Sequence, residues 1–340
     1  MIKHFGYVIV IVMFTVSMVS MMSCGDNENK NNKTDGKNAD LYIKDDAGER
    51  VKLVLKPTEG DTLRYKMIAK TSATETLPTP QGDQEVKSSE DITYFYTQVV
   101  DRVEESTVTY KVKFDSVQAV TSITSQDSSL SVTYNSNVQD SIHNMAQFVK
   151  YNSIIGEFFY VRVTAQDSVL ELYGMEKIYD KISTNSGDTL REDGKMILKE
   201  SLKSELQQQF QKFPINNEIA RDSSWGLSYE TNLMVFPAKN ILNYKVIDIK
   251  VEDNGDVIVT IDASLTLELI KKEVSDQNQK ISVNSVNATG TGKVVINLTQ
   301  GYTVSKSTQT NVDLDMKISA GGQSANPKQS LQTNLTIEKL

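Results

Sequence analysis

The chain has 340 residues, 24% of them charged and 39% hydrophobic, and a formal net charge of −8. An acidic chain lacks the basic stripe that displaces counterions from a phosphate backbone, which excludes nucleic acid as a partner. Its 2 histidines and 1 cysteine are too few for a zinc site built from several such ligands, and no metal or other cofactor is expected.

The N-terminus reads as an address. Lys3 and His4 precede an apolar run from Phe5 to Val19, followed by Ser20, Met21, Met22, Ser23 and Cys24. A basic start, an apolar middle and a small residue before the cleavage point are the parts of a secretory signal. The run ends at Ser23-Cys24 and not at a basic stop-transfer flank, so cleavage is favoured over a transmembrane helix. The stretch resembles a bacterial lipoprotein signal (residues 1–23), with Met21 where Leu is usual. That resemblance implies that Cys24 becomes an acylated N-terminus. Several acyl chains on one residue anchor stably where a single chain does not. The expected location is the cell envelope, as an outer-membrane lipoprotein, with the periplasmic and surface faces both open. Loss of Lys3 makes the mature chain more acidic still, and the lone cysteine, used as anchor, leaves no disulfide.

Residues 25–40 are rich in Asn, Asp, Lys and Gly and read, with Cys24, as a flexible tether. The folded part is expected over residues 41–340. Leu63 to Thr76, Ile92 to Val103 and Val108 to Val117 alternate with period two and predict long strands. In the middle, Asp140 to Val149 predicts a short helix, and Phe158 to Thr164 with Val169 to Leu172 a hairpin around Gln166-Asp167. Met175 to Ile182 predicts a second helix. Residues 191–213 give the strongest helical pattern. Leu198, Leu202, Leu206, Phe210 and Phe213 fall on one face, Lys, Glu and Gln on the other, and Pro214 is expected to stop it.

Beyond it the strands resume. Tyr244 to Val251 and Val257 to Leu269 flank Asn254-Gly255, the strongest short hairpin signal in the chain. Val294 to Leu298, Val312 to Ile318 and Leu331 to Ile337 follow. Each strand has one polar face, as antiparallel sheet with a wet side requires. The expected fold is therefore β-rich α+β. It would be one or more long antiparallel sheets, read as a curved sheet or half-barrel, with helices packed on one side. Similar halves would occupy 41–183 and 214–340, bridged by helix 191–213.

A local echo supports the two halves. Gly60-Asp61-Thr62-Leu63-Arg64-Tyr65 opens the first set of strands, and Asp222-Ser223-Ser224-Trp225-Gly226-Leu227-Ser228-Tyr229 the second. These segments, with Gly156-x-Phe158, Gly174 and Phe213-Pro214, resemble an uncharacterised family of roughly 300-residue bacterial lipoproteins, a domain of unknown function. Arg221 stands where a Gly often precedes the second acid. The resemblance implies secretion and a β-rich fold over about residues 50 to 340, and no activity.

Candidate chemistry is sparse. After cleavage His143 is the one histidine, in a helical setting that favours a structural role. Asp313 and Asp315 alternate with Val312, Leu314 and Met316 and belong on a solvated face. Asp45-Asp46 and Asp253 to Asp256 lack the spacing of a calcium loop and read as turns. Gly290-x-Gly292 lacks the Lys of a phosphate loop and marks a bulge or close strand approach. Trp225 reads as a core anchor, with ligand stacking as the alternative. No catalytic residue is identified, and an enzyme is not expected. Three function classes follow in rank. The first is a structural or interaction module facing another envelope protein. The second is a carrier of a lipid or other apolar ligand, held by Leu198, Leu202, Leu206, Phe210 and Trp225 against strand 257–269. The third is a carboxylate-based hydrolase.

Overall fold

Period-two alternation dominates the chain, and strands dominate its fold. The computed structural model describes residues 41–340 apart from 47, 56, 80–81, 127, 165–167, 211–212, 215–217 and 276–278. The signal segment, Cys24, the tether and the Gln166-Asp167 turn lie outside the described residues.

Elements run in chain order as follows. The strands β1 (Tyr42–Asp45), β2 (Gly48–Lys52), β3 (Thr62–Thr79), β4 (Gly82–Val103), β5 (Thr107–Ser125) and β6 (Ser128–Asn135) come first. Helix α1 (Val149–Ile154), the hairpin β7 (Phe158–Thr164) and β8 (Val169–Tyr173), then helices α2 (Glu176–Ser186) and α3 (Glu192–Gln207) form the middle. The C-terminal part is β9 (Glu218–Ala220), β10 (Ser224–Leu233), β11 (Phe236–Val251), β12 (Val257–Leu269), β13 (Glu273–Ser275), β14 (Gln279–Asn297), β15 (Tyr302–Ala320), β16 (Gln323–Ala325) and β17 (Lys328–Lys339).

A 14-stranded antiparallel sheet holds most of these, along the path β10-β11-β12-β14-β15-β17-β3-β4-β5-β7-β8. β6, β13 and β16 pair with β5, β14 and β15 off that path. The path is two meanders joined where the last strand of the chain, β17, pairs with β3. Its ends, β10 and β8, do not pair with each other, so the sheet is open and not a closed barrel. β1, β2 and β9 make a separate 3-stranded sheet.

Register shows that the buried side chains share one face of the large sheet. Val246, Ile261, Val294, Lys306, Ile337, Met67, Tyr94 and Val117 stand opposite one another across successive strands. Cross-strand partners point to the same side, so this row faces one way. α1, α2 and α3 cover that face over β3, β4, β5, β7 and β8, burying Tyr65, Tyr94, Phe114, Phe159, Ile178, Leu198 and Leu202 in one core. The small sheet, through Val51 and Ile219, with Leu53 and Leu55 just after β2, covers β11, β12 and β14 in a second. A third cluster, around Phe236, Leu267, Val312 and Met316, lies toward the other ends of the C-terminal strands. Among the described residues the opposite face carries no helix and is mostly polar.

Three sequence expectations need correction. The helix expected at 140–149 is a run of turns that ends in one 3-10 turn at Ala146–Phe148, and α1 begins only at Val149; Phe148, Tyr151 and Ile154 are the side chains that reach the core. The helix expected to reach Phe213 ends at Gln207, well before Pro214. There the backbone tightens, with Gln209 N–H donating to the Leu206 carbonyl at 3.0 Å and Phe210 N–H to the Gln207 carbonyl at 3.1 Å. The strands β3, β4 and β5 are longer than their apolar alternation. Gly82 to Glu90 is almost wholly polar, and its pairing with β3, from Thr79–Gly82 to Thr71–Glu90, holds it in strand.

The local echo has a structural counterpart. Val100 N–H donates to the Asp61 carbonyl at 2.9 Å, and Val246 N–H donates to the Ser223 carbonyl at 3.0 Å. Beyond these contacts Tyr65 stacks on Tyr96 with ring centroids 5.6 Å apart, and Trp225 on Tyr244 at 5.2 Å. Each meander thus opens with an acid, a clamp to a Val of the next strand, and an aromatic pair across the first two strands.

Candidate functional site

The apolar face of α3 does not meet β12. Leu198, Leu202, Leu206 and Phe210 are buried in the helix-covered core, whereas Val259, Ile261 and Leu265 pack under the small sheet. Trp225 is half-buried in that second cluster, stacked on Tyr244. The five residues expected to share a ligand face are therefore split between two cores. The helix packs against β8, where Gln207 bonds Val169, and not against β12. His143 sits at the rim of the first core, with its ring stacked on Tyr134 at 5.9 Å.

The same split creates a seam that sequence reasoning missed. Gln207, Gln208 and Gln209, assigned to the wet face of the helix, are all buried. Gln207 Oε1 accepts the Val169 N–H at 2.7 Å. The amides of Gln98 and Gln209 bond reciprocally at 2.8 and 2.9 Å, and Tyr96 O–H donates to Gln209 Oε1 at 2.9 Å. Thr303 ties the helix end to the sheet: its hydroxyl donates to the Gln209 carbonyl at 3.4 Å, and its own carbonyl accepts the Tyr65 hydroxyl at 3.2 Å. Three adjacent glutamines beyond a helical apolar stripe were the available signal, but nothing in their spacing distinguishes burial from exposure.

Because the Gln98–Gln209 pair satisfies itself, breaking one side is costly. Gln209→Leu is expected to lower stability by about 2–3 kcal/mol, since the Gln98 amide and the Tyr96 hydroxyl lose partners inside the core. Adding Gln98→Leu is expected to recover part of that loss. Urea unfolding of the two single variants and the double variant measures it, and strict additivity would refute the pairing.

Lys306 occupies the middle of the seam. It is only 3% exposed, between Val294 and Ile337 in the otherwise apolar row. Burial brings its ammonium down from 10.5 to about 8. Next to it along the face stand Gly292, Thr308, Leu335 and Ala69, then Gly290, Thr310, Thr333, Thr71 and Glu90. Gly290 and Gly292 mark the close strand approach expected of them. A Cβ on Gly292 would lie 3.0 Å from Thr308 Cγ2 and 3.2 Å from the Ser307 carbonyl oxygen.

A second polar cluster pins α1 to α3. Lys150 Nζ bonds the Glu205 carboxylate, and it donates to Ser201 Oγ at 2.9 Å. Burial raises the Glu90 carboxyl above its ordinary value, with Lys150 opposing and Glu205 adding to the rise. Among the described residues no group of three His, Cys, Asp or Glu is placed to hold a metal ion.

The uncovered face has its own feature at the β8 edge. Arg64, Thr97, Lys113 and Phe158 form one outward row, and Val99, Lys111, Tyr160 and Tyr173 the next. Phe158 and Tyr173 are 46% and 43% exposed. Tyr160 and Tyr173 stack at 5.1 Å with 10° between their planes, and Lys111 Nζ lies 4.3 Å from the Phe158 ring centre. Lys113 is paired with Asp115 at 2.8 Å. Arg64, Lys66 and Lys111 have no carboxylate partner among the described residues.

Fold and sites together define a β-rich α+β protein: one open antiparallel sheet, covered on a single face by helices at one side and a small sheet at the other. The chain belongs to a family of unknown function (DUF6263), whose sequence signature matches residues 105–303. No curated protein matches it. Among solved structures it is similar to lipovitellin at 10% identity and a TM-score of 0.43, over 84% of this chain and 25% of that one. An outer membrane channel from Pseudomonas putida F1 matches at 8% identity and a TM-score of 0.23, over 84% and 97% of the two chains. OccK7 from Pseudomonas aeruginosa matches at 5% identity and a TM-score of 0.23, over 83% and 100%. Likenesses this distant carry no argument about activity or ligand. No helix among the described residues is long and apolar enough to cross a membrane, which says nothing of spanning by strands.

Proposed function

We propose that the protein is a lipid-anchored envelope protein that acts as an interaction module. In this reading Cys24 holds it to the outer membrane, and residues 25–40 set its reach. The uncovered sheet face at the β8 edge docks a second envelope protein. The observation that supports this is the strip of Phe158, Tyr160, Tyr173 and Lys111, with Arg64 and Lys66 beside it. Exposed aromatics supply contact area at small entropic cost, and cations without carboxylate partners favour an acidic surface opposite them. The strip is basic within a chain of net charge −8, so its charge is local and directional.

A photo-crosslinking residue in place of Tyr173, in cells making the full chain, tests the docking. A single discrete adduct is expected, lost when Lys111→Glu reverses the local charge. No adduct, or the same adduct from Thr291 on the far part of the same face, would sink the proposal. Incorporation of labelled palmitate, abolished by Cys24→Ser, tests the anchor separately.

A further inference from the structure

Lys306 stands where an alternating strand requires a core side chain. β15 carries a register shift between Ser305 and Thr303, which turns both Thr303 and Lys306 toward the covered face. The residues in row with Lys306 are apolar and buried: Val294 and Ile261 on one side, Ile337 and Met67 on the other. Among the described residues its ammonium has no hydrogen-bond or ion-pair partner, and burial is the one influence on its ionisation. A cation on a side chain this buried, with no acceptor from the protein, is disfavoured, and an anion beside it would relieve that cost.

A second donor lies at the same seam. Gln208 is 6% exposed, and its Nε2 has no partner among the described residues. It adjoins Gln209, whose carbonyl is tied to Thr303, the next inward residue of β15 before Lys306. One donor thus comes from the sheet and the other from the end of α3. The face beside them is floored by small, half-buried residues: Gly292, Thr308, Thr310, Thr333 and Thr71.

We propose that the seam is a binding site for an oxyanion, a carboxylate or phosphate group, with the Lys306 ammonium and the Gln208 amide as its donors. Both groups offer N–H, and neither finds an acceptor oxygen among the described residues. Charge-assisted N–H···O⁻ bonds would satisfy both at once. The same chemistry is presented by a free small anion and by the headgroup of a single-chain amphiphile. This site is on the covered face, so it is independent of the docking strip on the other side.

Thermal unfolding of the full chain at neutral pH, with added inorganic phosphate, acetate, dodecanoate or dodecyl phosphate, tests the site, because a ligand that binds only the folded state raises the melting temperature. At least one oxyanion is expected to raise it in the wild type and to leave Lys306→Met unmoved. Gln208→Leu is expected to weaken the same binding by about tenfold, and it carries the comparison alone if Lys306→Met fails to fold. Action by phosphate or acetate identifies a free anion, and action by the amphiphiles alone identifies a headgroup. The proposal is overturned if none of the four shifts the wild type, or if the shifts survive unchanged in both variants.

Discussion

In buffer free of binding anions, Lys306→Met is expected to stabilise the protein by about 3 kcal/mol at pH 7 and by far less above pH 10. The Lys306 amine titrates at about 8 in the folded chain against 10.5 in the unfolded one. Below pH 8 both states carry the proton, and the folded state bears the full cost of burying a charge. Between about 8 and 10.5 the unfolded chain holds the proton and the folded chain does not, so wild-type stability rises with pH across that window. Methionine matches the length of the stem, adds no charge, and removes this pH dependence. Urea unfolding of both proteins at pH 7 and pH 10 decides it. Equal differences at the two pH values would show that Lys306 does not titrate as a buried amine.

Removing residues 328–340 is expected to abolish the native fold. Among the described residues β17 is the one strand joining the two meanders. It pairs with β15 from Ser305–Glu338 to Asp315–Lys328, and with β3 from Tyr65–Lys339 to Thr76–Lys328. Its deletion exposes two long central strands and takes Leu335 and Ile337 out of the helix-covered core. Each buried aliphatic side chain contributes roughly 1.5–3 kcal/mol, comparable together to a large part of a domain's net stability. A soluble truncated protein with native circular dichroism and cooperative unfolding would contradict this role. Restoration by the 328–340 peptide added in trans would confirm that pairing, and not chain length, is what was lost.

Much of the fold was legible because alternation is a local property. Val257 to Leu269 alternates without interruption, and β12 has those bounds. Asn254-Gly255 placed the β11–β12 hairpin, with Gly255 at φ 86° where a side chain would be strained. Leu198, Leu202 and Leu206 recur every four residues, and all three are buried on one face of α3. The candidate sites were less legible. Gln207 to Gln209 look like a solvated face, and Lys306 reads as one more polar residue in a Ser- and Thr-rich strand. Their burial depends on which elements lie above them. Phe158 and Tyr160 were read as strand residues and Tyr173 fell just past the expected strand, and only their register with Lys111 and Lys113 made them a surface.

The sequence by itself determined the strand class, the wet and dry faces of most strands and the helical stripe of α3. Each of these follows from side-chain period or composition within a short window. The tertiary structure decided the pairing of β17 with β3, the division of the covered face into separate cores, and the burial of Lys306 and the glutamines between them. Those depend on contacts between residues far apart in the chain, such as Tyr65 with Thr303 and Gln98 with Gln209. No local periodicity encodes such contacts, because each strand satisfies its own alternation equally well beside any neighbour in register.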